Sequence, residues 1–510
     1  MISFGTGGWR AVIGDEFIKS NIQLLSKALC LKMKQEGKTA QGIVIGYDRR
    51  FLSKESMRWC GEVFAAEGIR AMLVNKAAPT PLIMFFVMKH QMPYGMMVTA
   101  SHNPAIYNGI KVFADGKDAD REITDDIERI AAGIRPEEVV GMPYETALEK
   151  GLIEEIYPLN EYLDDIIEKI DMDAIKRAHL RVAVDPMYGV SEIPLKTLLL
   201  TARCDVETIN DTHDTLFGGK MPAPSAGTLR QLITRVIDYG FHIGIATDGD
   251  ADRLGVIDDT GRYLHANDVL VLLYYYMIRY RGMHGAVVRN IATTHMLDKV
   301  AARFGEKCYE VPVGFKYVSA KMAETDALIG GESSGGLTVR GHINGKDGIY
   351  AAMLLIEMIA LTGRNISQIY REIEAECGSI YMEERSLSFT PEKKQYLYDL
   401  LFEKHVLPRL PFEADHISHM DGVKVYFKNG GWVIARFSGT EPLLRVFCEM
   451  PEQADAVKVC NIFEEFLEKS QEEPGRSQEG ESEETARNRP LSSAASEVGA
   501  SMERQDEAHP

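Results

Sequence analysis

Apolar and polar positions alternate along the first part of the chain in a way that predicts helices and strands in turn. The predicted elements, in order, are a helix over 21–35, a strand at 42–46, a helix over 53–67, strands at 71–75, 96–99 and 110–113, and a helix over 122–132. Helices that alternate with short strands are typical of an α/β domain.

The alternation starts again near residue 180 and a third time near residue 268. The second unit is predicted to contain strands at 181–185 and 241–246 and a helix over 228–239, and the third a helix over 268–280 and strands at 285–291 and 327–329. Strands at 423–428, 431–436 and 443–449 follow. We therefore expect domains at 1–155, 156–262, 263–379 and 380–469.

Composition changes after residue 469, where Glu, Ser, Ala, Arg and Gln replace the large apolar residues. Such a segment buries too little apolar surface to compensate for the entropy of folding, so a disordered tail is predicted over 470–510. The remaining chain is long enough for several hydrophobic cores.

The overall composition narrows the class of protein. The longest apolar runs, 82–88 and 269–278, are too short to span a bilayer, and the first residues lack the pattern of a secretory signal. The seven cysteines form no C-x-x-C pair, and the net charge is −18. We expect a cytoplasmic protein with reduced cysteines that binds neither membrane nor nucleic acid. The sequence indicates no oligomeric state.

A polar turn, Ser101-His102-Asn103-Pro104, separates the apolar runs 96–99 and 110–113. Turns favour Asn and Pro because of their backbone preferences, so an ordinary turn is one interpretation. The other is an exposed turn that presents the hydroxyl of Ser101 for chemistry. These residues alone leave both open.

Three carboxylates, Asp248, Asp250 and Asp252, stand at alternate positions directly after an apolar strand. Oxygen ligands spaced in this way suit Mg²⁺. A calcium hand is excluded because Arg253 stands where its loop needs Gly and Asp259 where it needs Glu. A solvated acidic turn is the alternative, although carboxylates this close repel one another without a cation.

Two further loops carry candidate binding groups. Residues 330–336, G-G-E-S-S-G-G, offer hydroxyls and a carboxylate for a polyhydroxylated ligand, or form a flexible loop. Arg436 and Arg445 bracket a turn with hydroxyls at Ser438 and Thr440, which suits an anion unless the hairpin is merely exposed. The glycines at 5–8 fit no dinucleotide motif, and 341–346 fits no Walker motif.

Read together, the loops T-A-S-H-N-P, D-G-D-A-D-R, G-G-E-S-S-G-G and R-F-S-G-T-E-P resemble those of the α-D-phosphohexomutase family. The resemblance covers residues 1–469. It implies three related mixed-sheet α/β domains and a smaller α+β C-terminal domain around a central cleft. It also implies an enzyme, an intramolecular phosphotransferase of the isomerase class that acts in carbohydrate metabolism.

By the same resemblance, Ser101 carries a phosphoryl group in the resting enzyme, which makes the chain a phosphoprotein. Mg²⁺ is then held by Asp248, Asp250, Asp252 and an oxygen of the Ser101 phosphate. The phosphoserine gives its phosphoryl group to a hexose monophosphate, which forms a bound hexose 1,6-bisphosphate, and takes back the other phosphoryl group. Glucose 1,6-bisphosphate is the expected activator.

The resemblance also implies roles for other positions. Four residues flank the reacting phosphoryl group, namely Arg10, His102, Lys111 and Arg253. Residues expected to bind the sugar and the nonreacting phosphate are Glu332, Ser334, Lys316, Arg436, Ser438, Gly439, Thr440 and Arg445.

One departure bears on the sugar. Bacterial phosphomannomutase/phosphoglucomutases and phosphoglucosamine mutases usually have His at the end of the sugar loop, where this chain has Gly336. Phosphoglucomutases without that histidine use a lysine in a K-D-G segment, which Lys346 matches. We therefore expect Lys346 to be the acid/base and glucose phosphate the substrate, with mannose phosphate also accepted. The alternatives are a phosphoglucosamine or other sugar-phosphate mutase and a non-catalytic sugar-phosphate binding protein.

Overall fold

The structure is a computed structural model that describes residues 2–5, 7–389, 391–437 and 443–469. These residues form four β-sheets in chain order, three of them mixed and covered by helices and the last antiparallel. The predicted fold class is confirmed. The domain boundaries stay a prediction, and the predicted tail at 470–510 lies outside the described residues.

The first sheet has the strand order β1-β2-β6-β5-β3-β4-β8, and β7 pairs with β6. Its strands are β1 (Phe4–Gly5), β2 (Gly8–Val12), β3 (Ile43–Tyr47), β4 (Ala71–Val74), β5 (Gly95–Val98), β6 (Tyr107–Ala114), β7 (Lys117–Asp118) and β8 (Ile153–Ile156). Its helices are α1 (Lys19–Gln35), α2 (Ser53–Ala66), α3 (Thr80–Lys89), α4 (Arg121–Gly133) and α5 (Tyr144–Glu149). The glycine-rich start of the chain, for which the sequence predicted no strand, contains the antiparallel strands β1 and β2.

The second sheet has the order β10-β9-β11-β12-β13. Its elements are α6 (Leu159–Lys169), α7 (Met172–Ala178), β9 (Arg181–Asp185), α8 (Glu192–Thr201), β10 (Asp205–Thr208), α9 (Arg230–Tyr239), β11 (Ile243–Thr247), β12 (Leu254–Ile257) and β13 (Tyr263–Leu264). Strands β9, β10 and β11 are parallel, and β12 returns antiparallel to β11. The turn between β11 and β12 carries the three aspartates.

The third sheet has the order β15-β14-β16-β17. Its elements are α10 (Ala266–Arg279), β14 (Val287–Asn290), α11 (Met296–Arg303), β15 (Cys308–Val311), α12 (Phe315–Thr325), β16 (Ile329–Gly331), β17 (Leu337–Val339), α13 (Gly348–Thr362) and α14 (Ile366–Cys377). The turn between β16 and β17 is the predicted sugar loop.

The fourth sheet has the order β18-β22-β21-β20-β19 and is antiparallel throughout. Its elements are β18 (Tyr381–Ser388), α15 (Pro391–Tyr398), β19 (Ala414–Ser418), β20 (Val423–Phe427), β21 (Trp432–Phe437), β22 (Leu443–Met450) and α16 (Gln453–Lys469). The predicted phosphate loop joins β21 to β22.

The most apolar helices pack inside the protein. One buried apolar cluster contains residues of helices α3, α10 and α13. It includes the run Tyr274–Tyr276 of α10. In the described part of the chain, no single helix is long and apolar enough to cross a membrane; α13 and α14 reach that length together but are bent by 82°.

A buried lysine joins the fourth sheet to the third. Lys424 on β20 donates through Nζ to the carbonyl of Ile291 at 2.6 Å and to Glu310 Oε2 at 2.9 Å, and lies 4.1 Å from the centre of the Trp432 ring. Its Nζ is also 3.1 Å from Nε2 of His295. A neutral imidazole accepts this hydrogen bond, whereas a protonated one repels the ammonium group.

Protonation of His295 therefore opposes folding. Burial lowers the pKa of His295 to about 4. A hydrogen bond to Glu310 acts to raise this pKa, whereas the charges of Arg289 and Lys424 lower it further. The unfolded chain takes up this proton first as the pH falls below about 6.5, so stability is lost between about pH 6.5 and pH 4.

We predict that His295→Gln flattens this pH dependence, because the amide oxygen still accepts from Lys424 and cannot be protonated. The wild type should lose about 2 kcal/mol more than the variant between pH 7 and pH 5. Urea unfolding of both proteins at the two pH values measures the difference. His284→Gln, at an imidazole that is 84% exposed, is the control and should behave like the wild type. An equal loss in His295→Gln would contradict the prediction.

Candidate active site

The turn that carries Ser101 lies between β5 and β6. The backbone N–H of Ser101 donates to Thr99 Oγ1 at 2.8 Å, and the Thr99 hydroxyl donates to Asp48 Oδ2 at 2.6 Å. Ser101 has a φ of 51°, in the left-handed region that few residues other than glycine adopt, and such strain is common at functional sites. Ser101 itself is 1% exposed, so its hydroxyl is not open to solvent as an exposed turn would have it, whereas Pro104 and Ile106 of the same turn are exposed. The reason is that the aspartate turn of the second domain covers Ser101.

Arg50 holds this turn in place and was missed by the sequence analysis. Its guanidinium donates to four carbonyl oxygens of the turn, those of Ser101 and Asn103 at 2.6 Å and of Pro104 and Tyr107 at 3.0 Å. The Cζ atom of Arg50 lies over the Phe217 ring, 4.8 Å from its centre. The available signal was D-R-R at 48–50, directly after the buried strand β3, which pairs with β5.

The three aspartates lie together as predicted. Asp248, Asp250 and Asp252 are at most 1% exposed, and one oxygen from each lies within 4.8 Å of the others. Ala251 has a φ of 62°, so the turn between them is strained. The Ser101 hydroxyl donates to Asp248 Oδ2 at 2.7 Å. The serine and the acidic turn, 147 residues apart, therefore form one site.

Cationic and hydroxyl donors occupy one side of the aspartate cluster. Lys111 on β6 donates to Asp250 Oδ2 and Asp252 Oδ2, both at 2.7 Å, and the Thr80 hydroxyl donates to Asp250 Oδ2 at 2.6 Å. Within the described residues, the other oxygens of Asp250 and Asp252 are buried and accept no hydrogen bond. Buried carboxylate oxygens without donors fit a hard divalent cation such as Mg²⁺.

The charges in the cluster shift pKa values in opposite directions. Burial and the charges of Asp252 and Asp250 hold the pKa of Asp248 well above its usual range. Burial also opposes ionisation of Asp252, but the charges of Lys111, Lys346 and Arg253 outweigh it and hold the pKa of Asp252 well below its usual range. The site therefore keeps negative charge at Asp252 and resists it at Asp248.

His102 faces the same cluster in its neutral form. Its Nδ1 lies 3.3 Å from Ser101 Oγ. Burial lowers the pKa of His102 to about 2, and the charges of Arg253 and Arg10 act in the same direction. Arg10 on β2 donates to Asn103 Oδ1 at 2.6 Å and so lies against the serine turn.

The K-D-G segment of the third domain packs onto the aspartate turn. Lys346 Nζ lies 3.4 Å from Asp252 Oδ2, and the N–H of Gly348 donates to the Ala251 carbonyl at 3.2 Å. A Cβ built on Gly336 would lie 2.1 Å from Cδ of Lys346. The lysine therefore occupies the space that a side chain at 336 would need.

The other predicted sugar residues lie in the third domain. Glu332 is 7% exposed, and its Oε1 accepts from Asn290 Nδ2 at 3.1 Å and from the N–H of Gly314 at 2.9 Å. Ser334 is exposed and Lys316 is half-buried. Gly314 and Lys316 both belong to the V-G-F-K segment at 313–316. The hydrogen bond from Gly314 to Glu332 therefore connects this segment to the sugar loop.

Two arginines face each other in the fourth domain. Arg436 on β21 and Arg445 on β22 are direct cross-strand partners, so their side chains leave the same face of the sheet. Like charges at directly opposed positions destabilise a sheet, and a bound anion removes that cost. Ser438, Gly439 and Thr440, which were predicted to complete the phosphate site, lie outside the described residues.

Comparisons with known proteins agree with this architecture. The family models of the phosphoglucomutase/phosphomannomutase alpha/beta/alpha domains I, II and III match residues 1–138, 160–261 and 265–377 of this chain. The model of the family's C-terminal domain matches residues 407–466. A phosphoglucomutase/phosphomannomutase of Thermococcus kodakarensis is 28% identical over 92% of this chain and 98% of its own. A phosphoglucosamine/phosphogalactosamine mutase of Sulfurisphaera tokodaii is 26% identical over 91% of this chain and 99% of its own.

The fold also matches solved structures. A phosphoglucomutase/phosphomannomutase family protein from Burkholderia thailandensis superposes with a TM-score of 0.77 at 22% identity, over 94% of this chain and 99% of that one. Four such domains define a phosphohexomutase, an isomerase that moves a phosphoryl group between two positions of a sugar phosphate. The chain belongs to the phosphoglucomutase/phosphomannomutase family, which confirms the resemblance found in the sequence.

We predict that Arg50→Lys impairs activity without unfolding the protein. Lysine keeps the charge but cannot bond four carbonyls in a fixed plane, so the Ser101 turn shifts. A displacement of about 1 Å near reacting atoms costs about a hundredfold in kcat. Steady-state kinetics measures the loss, and circular dichroism checks the fold. Arg58→Lys, which changes an arginine stacked on Tyr144 away from the site, is the matched control. Equal activity in both variants would argue against the prediction.

Proposed function

We propose that the protein is a phosphoglucomutase that interconverts glucose 1-phosphate and glucose 6-phosphate and also accepts mannose phosphates. The reaction runs through a phosphoserine at Ser101 and a bound glucose 1,6-bisphosphate. The observation that carries the choice of sugar is the packing of Lys346 against Gly336, which places an ammonium group, and no histidine, at the end of the sugar loop.

In the first half of the reaction, the bond between Ser101 Oγ and phosphorus breaks, Ser101 Oγ leaves with the electron pair, and a bond from phosphorus to a sugar hydroxyl oxygen forms. The proton of that hydroxyl leaves to a base. Asp248, Asp250 and Asp252 would hold Mg²⁺, which when bound neutralises charge on the transferring phosphoryl group. Arg10, Lys111 and Arg253 add positive charge around the same atoms.

Lys346 is the acid/base in this proposal: it gives up its proton in the active form, so that the neutral amine can take the proton of the sugar hydroxyl. Its Nζ is 3.4 Å from Asp252 and its side chain is 13% exposed, so it lies at the acidic cluster with little access to water. His102 is a poorer candidate because burial, and after it the charges of Arg253 and Arg10, lowers the pKa of its ring and opposes its protonation. In the second half of the reaction, Ser101 Oγ forms a bond to the other phosphorus atom, and Lys346 returns the proton to the sugar oxygen that loses this phosphoryl group.

The substrate is held at its two ends. Glu332 and Ser334 bind sugar hydroxyls, with Lys316 beside them, while Arg436 and Arg445 bind the nonreacting phosphate. Support for the last pair comes from their opposed positions on β21 and β22. The bisphosphate reorients in the site between the two half-reactions. It can do so because either of its phosphates fits the arginine pair.

A phosphoglucosamine mutase is the second candidate. The observation in its favour is the Sulfurisphaera tokodaii relative, which is named a phosphoglucosamine/phosphogalactosamine mutase and is nearly as similar as the phosphoglucomutase/phosphomannomutase relative. A cytoplasmic location stays a prediction.

The proposed substrate is tested by incubating the purified protein with Mg²⁺, catalytic glucose 1,6-bisphosphate and one of three 1-phosphates, those of glucose, mannose and glucosamine. We expect turnover of the glucose and mannose compounds, with kcat/KM at least about tenfold above that for glucosamine 1-phosphate, a difference of about 1.4 kcal/mol. Ser101→Ala should lose turnover and the phosphoryl mass on the intact protein. Preference for glucosamine 1-phosphate would establish the second candidate instead.

The role of Gly336 is tested by a double-mutant cycle. Gly336→Ala should displace Lys346 and lower kcat by about tenfold or more, because a misplaced base loses much of its effect. In Lys346→Ala the atoms that the new methyl group would strike are gone, so adding Gly336→Ala should change kcat no further. Gly133→Ala, where a Cβ meets nothing within 4 Å, controls for the substitution itself. Additive losses in the double variant would refute the coupling.

A further inference from the structure

One carboxylate links the C-terminal domain to the third domain beside the predicted substrate residues. Asp421 lies in the turn before β20, and its Oδ2 accepts two hydrogen bonds. One comes from Arg436 Nη2 at 3.3 Å and the other from the backbone N–H of Val313 at 2.9 Å. The side chain of Asp421 is 28% exposed and that of Arg436 is 16% exposed.

The residue after Asp421 shows that this contact is built into the turn. Gly422 has a φ of 108°, which disfavours any side chain. A Cβ there would also lie 2.6 Å from the Ala435 carbonyl oxygen and 2.8 Å from Cβ of Arg436. The turn therefore packs directly on the backbone that carries Arg436, and only glycine allows this approach.

The other end of the link leads to the sugar loop. Val313 precedes Gly314, whose N–H donates to Glu332 Oε1 at 2.9 Å in the buried interior of the third domain. A continuous path of hydrogen bonds and two adjacent peptide units thus runs from Arg436 through Asp421 to Glu332. One end is the proposed phosphate ligand and the other is the proposed sugar ligand.

We infer that Asp421 is a positioning residue that holds Arg436 for the nonreacting phosphate and ties it to the Val313 segment of the third domain. This inference rests on the proposed role of Arg436 in phosphate binding. Asp421 also offsets the repulsion between Arg436 and Arg445, which face each other across β21 and β22. It touches the arginine and not the reacting phosphoryl group, so its effect falls on substrate binding.

The experiment compares KM and kcat of Asp421→Ala and Asp421→Asn in the full-length protein. The substrate is whichever hexose 1-phosphate the wild type turns over. Asp421→Ala should raise KM about tenfold and change kcat by less than about twofold. Asparagine keeps an acceptor without the charge, so Asp421→Asn should raise KM only about threefold. Asp415→Ala, at an exposed acid on β19, should match the wild type.

A second measurement separates positioning from a general structural effect. In an Arg436→Ala background, adding Asp421→Ala should change KM by less than about twofold, because the residue then has no arginine to hold. Hydrogen–deuterium exchange of the peptide containing Val313 should speed up in Asp421→Ala and less so in Asp421→Asn. This readout does not depend on activity.

The outcomes distinguish this inference from the proposed function. If the protein turns over another hexose 1-phosphate but not glucose 1-phosphate, only the proposal that glucose phosphate is the substrate is overturned. An Arg436→Ala variant with unchanged KM overturns the phosphate role and this inference together. If Arg436→Ala raises KM but Asp421→Ala does not, or if Asp421→Ala lowers kcat alone, this inference fails by itself.

Discussion

Close burial of three like charges is the constraint on which the site depends. One oxygen from each of Asp248, Asp250 and Asp252 lies within 4.8 Å of the others, out of contact with water. Such carboxylates cannot all be ionised unless positive charge lies among them. Lys111 meets part of this need from the first domain and Lys346 from the third. The acidic turn therefore holds three domains around one point.

The same constraint explains how the serine is presented. Ser101 is buried because its hydroxyl donates to Asp248, and its turn keeps a left-handed residue because Arg50 bonds four of its carbonyls. A strained, over-determined backbone is a costly arrangement that the surrounding contacts stabilise. A phosphoryl group on that hydroxyl would add negative charge beside the aspartates and Lys111, and a bound divalent cation would neutralise it.

Local sequence predicted the pieces of this site more accurately than their surroundings. The spacing of the aspartates indicated a cation site, and the polar turn between two apolar runs located Ser101. Thr80 gave no local signal of function and Arg50 only the polar D-R-R after β3, since their partners in the site lie 170 and 51 residues further along the chain. The strands Phe4–Gly5 and Gly8–Val12 were missed because each is only a few residues long.

The sequence by itself determined the alternation of helices and strands in the first three units, the family, and the kinds of groups available for phosphate, cation and sugar. Those properties follow from periodicity and from short motifs, which are local. Tertiary structure alone decided that Ser101 is buried, that Lys346 fills the space beside Gly336, and that Asp421 reaches Arg436 and Val313. Burial and charge balance are set by contacts between distant segments, and no local pattern records them.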